Sequence, residues 1–256
     1  MPLQIGIVLL GATISLPYAL AVSSVYLPWI ALFVIVSFVA GLMLGKLLGI
    51  HHRVAFLLSS GAAICGGTAM AAVAPIIKAK PQELLIAMTI IFLLNAVAII
   101  VFPLVGNYLE MNNFEFGAWA ALAIHDTGSV IGSALTFSNE SAEVAATLKL
   151  GRTIWLIPLI LIANWIFNKQ AQATKFPRFI LFFILAIAAN TVFTFNEQII
   201  NILQISSQAF LLIGLFCIGS QFDPNELNSI SGKPLVLALT LWALVIPSAY
   251  FLVKYF

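Results

Sequence analysis

The chain has 256 residues, of which 62% are hydrophobic and 8% are charged, and its mean hydropathy is +1.11. Soluble domains carry roughly 25% charged residues, so this composition excludes an ordinary soluble domain and predicts a membrane protein. The net charge of +2 is too small to indicate nucleic-acid binding.

Long uncharged runs recur along the chain, and most could cross a hydrocarbon core roughly 30 Å thick. The runs are continuous rather than alternating, which favours helices over a closed β-barrel. We therefore predict an all-α fold, a polytopic transmembrane helix bundle of about nine membrane segments, in a single transmembrane domain, 1–256. In chain order the segments are 3–22, 25–45, 54–77, 84–109, a segment around His125-Asp126, 153–168, 179–195, 205–222 and 234–253.

The distribution of basic residues predicts an orientation. If every segment spans once, one side receives Lys46, Arg53, Lys169, Lys175, Arg178 and Lys233, and the other mainly receives Lys78, Lys80 and Lys254. Basic loops favour the cytoplasm, so the N-terminus is expected inside and the C-terminus outside. The start of the chain has no basic residues before its first apolar run, so we also expect no cleavable signal.

Two short internal echoes favour a pseudo-symmetric bundle. Ala63-Ile64-Cys65-Gly66-Gly67-Thr68 is similar to Ala123-Ile124-His125-Asp126-Thr127-Gly128, and Glu83 and Glu143 keep the same offset of 60 residues. Residues 6–11 are similar to residues 214–219. Such repeats mark the sites of many transporters. We divide the chain into repeat-like halves, 1–110 and 111–256, and the sequence leaves open whether they are inverted or parallel.

Both copies of the first echo carry residues that interrupt helices. Glycine costs about 1 kcal/mol in a helix interior, so Gly66 and Gly67 favour a break after which Thr68 could cap a second half-helix. Asp126, Thr127 and Ser129 are also capping types. A half-helix that starts in mid-membrane directs free N–H groups and a positive dipole end at its surroundings, which favours an anion. The alternative is that the glycines only permit close helix packing.

Asp126 is the acid placed deepest in an apolar run. It lies about ten residues, or roughly 15 Å of helix, beyond Phe116, which is close to the middle of the bilayer. Acids at that depth are usually functional, although a protonated packing residue is the simpler alternative. Lys149 and Arg152 are three residues apart and share a helix face. If both point inward rather than snorkel to the interface, they and Asp126 sum to a charge of +1.

Three segments resemble a known family. Residues 63–78, 117–132 and 146–158, together with the order of the helices around them, are similar to the YeiH-type bacterial inner-membrane proteins, which are commonly described as sulfate exporters. The resemblance implies a multi-pass protein of the bacterial inner membrane that exports a small anion. Similar proteins have further helices ahead of the 5–11 segment, so this chain is expected to lack them. Gly67 and Gly128 stand where relatives often have serine.

The hypothesis is a secondary transporter of a small anion, such as sulfate or a sulfonate, with its site between the two broken helices. The coupling ion would be a proton or sodium. The sequence leaves open whether the protein forms a homo-oligomer. A cation/proton antiporter that uses Asp126 is the alternative. We predict no enzyme, because the H-E-x-x-H and G-x-S-x-G patterns of hydrolases are absent. We also predict no metal site, because the three histidines and two cysteines have no ligand spacing, and no cofactor. The predicted substrate-binding residues are Cys65, Gly66, Gly67, Thr68, Ala69, Thr127, Gly128, Ser129, Lys149 and Arg152, and the predicted proton-coupling residues are His125 and Asp126.

Overall fold

The computed structural model describes residues 2–13, 16–167, 178–193, 195–219 and 232–254. Within these residues all regular structure is helical, which confirms the predicted fold class. The helices are α1 (Pro2–Ala12), α2 (Leu16–Leu47), α3 (His52–Ala63), α4 (Gly67–Val73), α5 (Pro81–Tyr108), α6 (Asn113–Ala123), α7 (Thr127–Phe137), α8 (Asn139–Thr153), α9 (Leu156–Phe167), α10 (Arg178–Phe193), α11 (Glu197–Gly219) and α12 (Gly232–Val253).

Four stretches of the described chain are long and apolar enough to cross a membrane. They are Pro28–Leu47 in α2, Pro81–Tyr108 in α5, Glu140–Phe167 across α8 and α9, and Gly232–Val253 in α12. The other predicted segments fall on shorter helices or continue past the described residues. Lys169, Lys175 and the last residues of segment 205–222 lie outside the described residues. The structure is therefore a helical membrane bundle whose elements differ widely in length.

The chain divides into two compact units. The first contains Met1–Val25 and Gln170–Pro224. Within it α1 packs against α10 and α11, and the Ser207 hydroxyl donates a hydrogen bond to the Gly6 carbonyl at 2.7 Å. The second unit contains Tyr26–Lys169 and Asn225–Phe256, and it holds every predicted site residue. The division into halves at residue 110 stays a prediction.

In the second unit, the helices α3 and α4 form a hairpin that returns to the end where it began. His51 directly precedes α3 and Glu83 lies in the first turn of α5, yet the His51 Nδ1 and Glu83 Oε1 atoms are 3.2 Å apart. A β-carbon on Gly61 would lie 3.1 Å from the Met70 side chain, so α4 folds back along α3. Two half-helices that spanned the membrane would instead separate His51 from Glu83 by roughly 28 Å.

The helices α6 and α7 form a second hairpin, which starts from the opposite end of the same unit. The rings of Phe116, near the start of α6, and Phe137, at the end of α7, stack with centroids 4.0 Å apart. The Asn113 amide donates to Glu140 at the start of α8. Glu115 pairs with Lys254, just beyond α12, at 2.7 Å. This second hairpin therefore also returns to its own end.

The assumption that every segment spans once is wrong, because both broken segments fold back.

We call one end of the second unit the His51 end: it holds the starts of α3, α5 and α12 and the ends of α2 and α9. We call the other the Asn113 end: it holds the starts of α6 and α8 and the ends of α5, α7 and α12. Lys78 and Lys80, which directly precede α5, lie at the His51 end together with Lys46 and Arg53. The sequence-based assignment of Lys78 and Lys80 to the side opposite Lys46 and Arg53 is therefore wrong.

Candidate functional site

The tips of the two hairpins meet inside the second unit. The chain is interrupted at Ile64–Gly66 between α3 and α4, and at Ile124–Asp126 between α6 and α7. Gly66 has a positive φ of 58°, and a β-carbon there would lie 3.4 Å from backbone atoms of His125 and Asp126. The two predicted breaks are thus present and lie against each other.

The two breaks are capped differently. Asp126 is the N-cap of α7, and its Oδ2 accepts the Ser129 N–H at 3.0 Å and the Ser129 hydroxyl at 3.2 Å, as the capping pattern predicted. Thr68 does not cap α4; the N-cap is Gly66, which has no side chain to offer. The reason is that the helix restarts two residues earlier than predicted. The Cys65 sulfur takes the Ala69 N–H instead.

Arg152 lies between the ends of both entering half-helices. Its Nε donates to the Ala63 carbonyl at 2.7 Å and its Nη2 to the Ala62 carbonyl, at the end of α3. Its Nη1 donates to Ala121, at 3.1 Å, and to Leu122, at the end of α6. The side chain is fully buried, so it does not snorkel. One guanidinium thus joins the two hairpins.

Lys149 and Trp242 donate hydrogen bonds to carbonyl groups at the C-terminal end of α6. The Lys149 ammonium donates to the Ile124 carbonyl at 2.7 Å and reaches Ala121 at 3.4 Å. The Trp242 indole donates to Ala123 at 3.2 Å. Helix ends leave about four carbonyls without partners, and here side chains supply most of the missing donors. The negative dipole ends of α3 and α6 are therefore neutralised by the protein itself.

The starts of α4 and α7 are left with unpaired donors. Among the described residues, the backbone N–H groups of Gly67 and Thr68, and those of Thr127 and Gly128, have no acceptor. The first turn of α7 is the accessible one: Gly128 is exposed and Asp126, Thr127 and Ser129 are half-buried. Cys65, Gly66, Gly67 and Ala69 are buried behind it. The positive end of α7 can therefore accept an anion from outside the hairpins.

His125 and Asn95 carry buried polar atoms without partners. Asn95, on α5, accepts the His125 backbone N–H at 3.1 Å, and both side chains are at most 2% exposed. The His125 ring bonds the Ala62 carbonyl, which leaves its Nδ1 unpaired, and the Asn95 Nδ2 is also unpaired. Asn95 was interpreted from sequence as a helix-packing residue. No local pattern distinguishes it, because its role depends on the contact of α5 with the second break.

If Asp126, Lys149 and Arg152 are all ionised, the charge at the two breaks is the +1 that was predicted for inward-pointing cations. Lys149 and Arg152 are fully buried, and Asp126 is close enough to Lys149 and Cys65 to affect their electrostatics. The two helix starts, of about +0.5 each, and the two helix ends, of about −0.5 each, cancel. The side chains leave a net charge of +1. Both cations direct most of their donors at carbonyls, so their main effect on a solute would be through their electric field.

Comparisons with known proteins give one consistent result. A family model described as Conserved hypothetical protein 698 matches residues 1–238. A UPF0324 membrane protein of Bacteroides thetaiotaomicron is 38% identical over 95% of this chain and 74% of its own length. UPF0324 membrane proteins of Vibrio parahaemolyticus and Geobacter sulfurreducens are 39% and 35% identical, over 80% and 79% of their lengths. No solved structure gives a significant match.

Proposed function

We propose that this chain, which belongs to the family of the UPF0324 membrane proteins, is a secondary transporter of a small anion such as sulfate or a sulfonate. One observation carries the proposal. The carbonyl ends of α3 and α6 are neutralised by Arg152, Lys149 and Trp242, whereas the first turn of α7 keeps free N–H donors. Free backbone donors at membrane depth need a partner, and an anion can supply one.

In this proposal the anion binds at the first turn of α7. The Thr127 and Gly128 N–H groups would donate to its oxygens, and the absence of a side chain at Gly128 would allow close approach. Lys149 and Arg152 would raise the local potential from behind the two breaks. Helix starts of this kind bind anionic groups in other membrane transporters.

The proposal also assigns the coupling of proton and anion. Asp126 holds one negative charge where the anion would bind, so the two repel each other unless Asp126 takes up a proton. The unpaired His125 Nδ1 and Asn95 Nδ2 lie on the inner side of the same break, and buried polar atoms of this kind require a water or solute partner. We assign the proton to Asp126, with His125 as its neighbour in the path.

The arrangement of the hairpins supports a transport cycle. We infer that the hairpin and span α3–α4–α5 and the hairpin and span α6–α7–α8 form an inverted repeat, since they enter from opposite ends of the unit and meet at their tips. Inverted repeats of this type allow a central site to open alternately to the two sides. The first sequence echo then corresponds to the two tips.

A second candidate is a cation/proton antiporter. The Asp126 Oδ2 is held by Ser129, but no described residue donates to its Oδ1. A half-buried carboxylate oxygen of this kind could bind sodium or a proton directly. In that case Thr127 and Gly128 would serve only to cap the helix.

The test is sulfate flux in vesicles reconstituted with the purified protein, with an inward proton gradient. We expect accelerated sulfate flux for the parent chain. In Asp126→Asn, which keeps the cap but removes the charge, the flux should lose its dependence on the proton gradient. Glu110→Gln, which removes an exposed acid elsewhere, is the matched control and should behave as the parent.

Two results would contradict the proposal. Sulfate and sulfonate fluxes equal to those of empty vesicles would exclude the anion transporter. A sodium-dependent increase in thermal stability that sulfate does not produce, and that Asp126→Asn abolishes, would instead favour the antiporter.

A further inference from the structure

The two ends of the second unit carry opposite charge. At the His51 end, five described Lys or Arg residues face one carboxylate, Glu83, which gives +4 with histidines neutral. At the Asn113 end, the side chains that the structure describes include one cation, Lys254, and three carboxylates, Glu110, Glu115 and Glu140, which together give −2. The cations of the His51 end are Lys46, Arg53, Lys78, Lys80 and Lys233. Most of them are exposed.

The preferences of the helices themselves do not explain this difference. Acidic side chains are favoured at helix starts and basic ones are disfavoured there. The starts of α6 and α8, at the Asn113 end, follow this rule with Glu115 and Glu140. The starts of α3 and α12, at the His51 end, instead carry Arg53 and Lys233 without an acid in their first turns. The helix starts therefore do not account for the cations of the His51 end.

Within the described ranges, the cations of the His51 end form no ion pair of their own with a carboxylate. The only ion pair there among the described residues joins His51 to Glu83, whose other oxygen accepts the Lys80 N–H. The Arg53 Nε is buried without a partner. These residues lie where spans begin or end, which is the depth of the lipid headgroups. The missing anions are therefore expected from the membrane surface.

We propose that the His51 end is the cytoplasmic face of the protein and that its basic residues bind the headgroups of anionic phospholipids in that leaflet. Juxtamembrane Lys and Arg residues are attracted to anionic lipids and are retained in the cytoplasm. The hairpin α3–α4 then opens towards the cytoplasm and the hairpin α6–α7 towards the outside. This inference does not depend on transport, since it concerns only orientation and lipid contact.

Orientation is tested by labelling single cysteines with a membrane-impermeant maleimide. Lys80→Cys should label in inverted membrane vesicles and lose its labelling in intact spheroplasts, whereas Glu110→Cys should show the reverse. In both variants the native Cys65 and Cys217 are replaced by serine, and the chain with these two replacements alone gives the background. Labelling of Lys80→Cys in spheroplasts, with Glu110→Cys labelled only in inverted vesicles, would overturn the proposal.

Lipid contact is tested by thermal unfolding in nanodiscs of phosphatidylglycerol or phosphatidylcholine. We expect a higher Tm in phosphatidylglycerol, a gain that about 1 M salt reduces. The triple variant Lys46→Gln, Lys80→Gln, Lys233→Gln should lose the gain, and the control Glu110→Gln, Glu140→Gln should keep it. An equal Tm in both lipids for the parent chain, or an equal gain in the triple variant, would refute lipid binding by this end.

Discussion

At the residue scale, Arg152 is the side chain on which the meeting of the hairpins depends. Its donors reach Ala62 and Ala63 in one hairpin and Ala121 and Leu122 in the other. Only the planar guanidinium offers several donors in a fixed geometry. Lysine could provide the charge but not the four directed hydrogen bonds.

We predict that Arg152→Met destabilises the protein by about 3–5 kcal/mol, because buried carbonyls at two helix ends lose their donor. Arg152→Lys should recover only part of this loss. The measurement is the Tm of purified variants in one detergent. Lys233→Met, which removes an exposed cation, is the control and should unfold close to the parent.

A near-parental Tm for Arg152→Met would contradict the assigned role. It would mean that water or another side chain satisfies the four carbonyls, and that the two hairpin tips are held by packing alone. A complete recovery by Arg152→Lys would show that charge, rather than directed hydrogen bonding, is what the two helix ends require.

At the scale of the element, the first hairpin depends on the backbone of Gly66. Its φ of 58° and ψ of −125° lie in a region that residues with a β-carbon rarely adopt. The added β-carbon would meet its neighbours at 3.4 Å, which is an ordinary contact. The constraint at this position is therefore conformational and not one of space.

We predict that Gly66→Ala lowers the free energy of unfolding by about 1–3 kcal/mol. Gly132→Ala is the matched control: it lies inside α7, and a β-carbon there meets nothing within 4 Å. Alanine at that position should be neutral or stabilise by up to about 1 kcal/mol. Both are compared by equilibrium unfolding, and equal effects of the two substitutions would refute the conformational argument.

The sequence predicted the breaks but not the path of the chain around them. Gly66 and the Asp126 cap are local signals, so propensity rules located both interruptions. Whether a broken segment spans or folds back depends on distant contacts such as His51 with Glu83 and Phe116 with Phe137. The sequence indicated that Lys149 and Arg152 could point inward. Their carbonyl partners were not predicted, because those carbonyls lie on segments distant in sequence.

At the scale of the whole molecule, the last helix is tied to the Asn113 end by an exposed contact. Lys254, beyond α12, donates to Glu115 in α6 at 2.7 Å, across 139 residues of sequence. The hydrogen bond to Lys254 is the main cause that lowers the pKa of Glu115, and the same bond raises the pKa of Lys254. Trp119 adds a second tie between these helices through the Ile246 carbonyl at 3.0 Å.

The direction of each pKa shift determines the pH range over which the Glu115–Lys254 pair stabilises the fold. The pKa of Glu115 is lower in the folded chain than its unfolded value of about 4.3, so its contribution is present above that value and is lost as the pH falls through the folded pKa. The pKa of Lys254 is raised above about 10.4, so its contribution is complete below that value and is lost as the pH rises through the folded pKa. Between these limits the contribution is constant.

We therefore predict that Lys254→Met lowers the Tm by a small, constant amount between about pH 5 and 10, and that the difference from the parent is lost as the pH falls through the lowered pKa of Glu115 in the folded chain. The effect should be small because the Lys254 side chain is 40% exposed. Lys233→Met, at the other end of α12, should show no such pH dependence. A difference between parent and Lys254→Met that persists unchanged at low pH would mean that the lysine stabilises α12 through packing on Tyr250, whose ring centroid lies 5.7 Å from its Nζ, and not through Glu115.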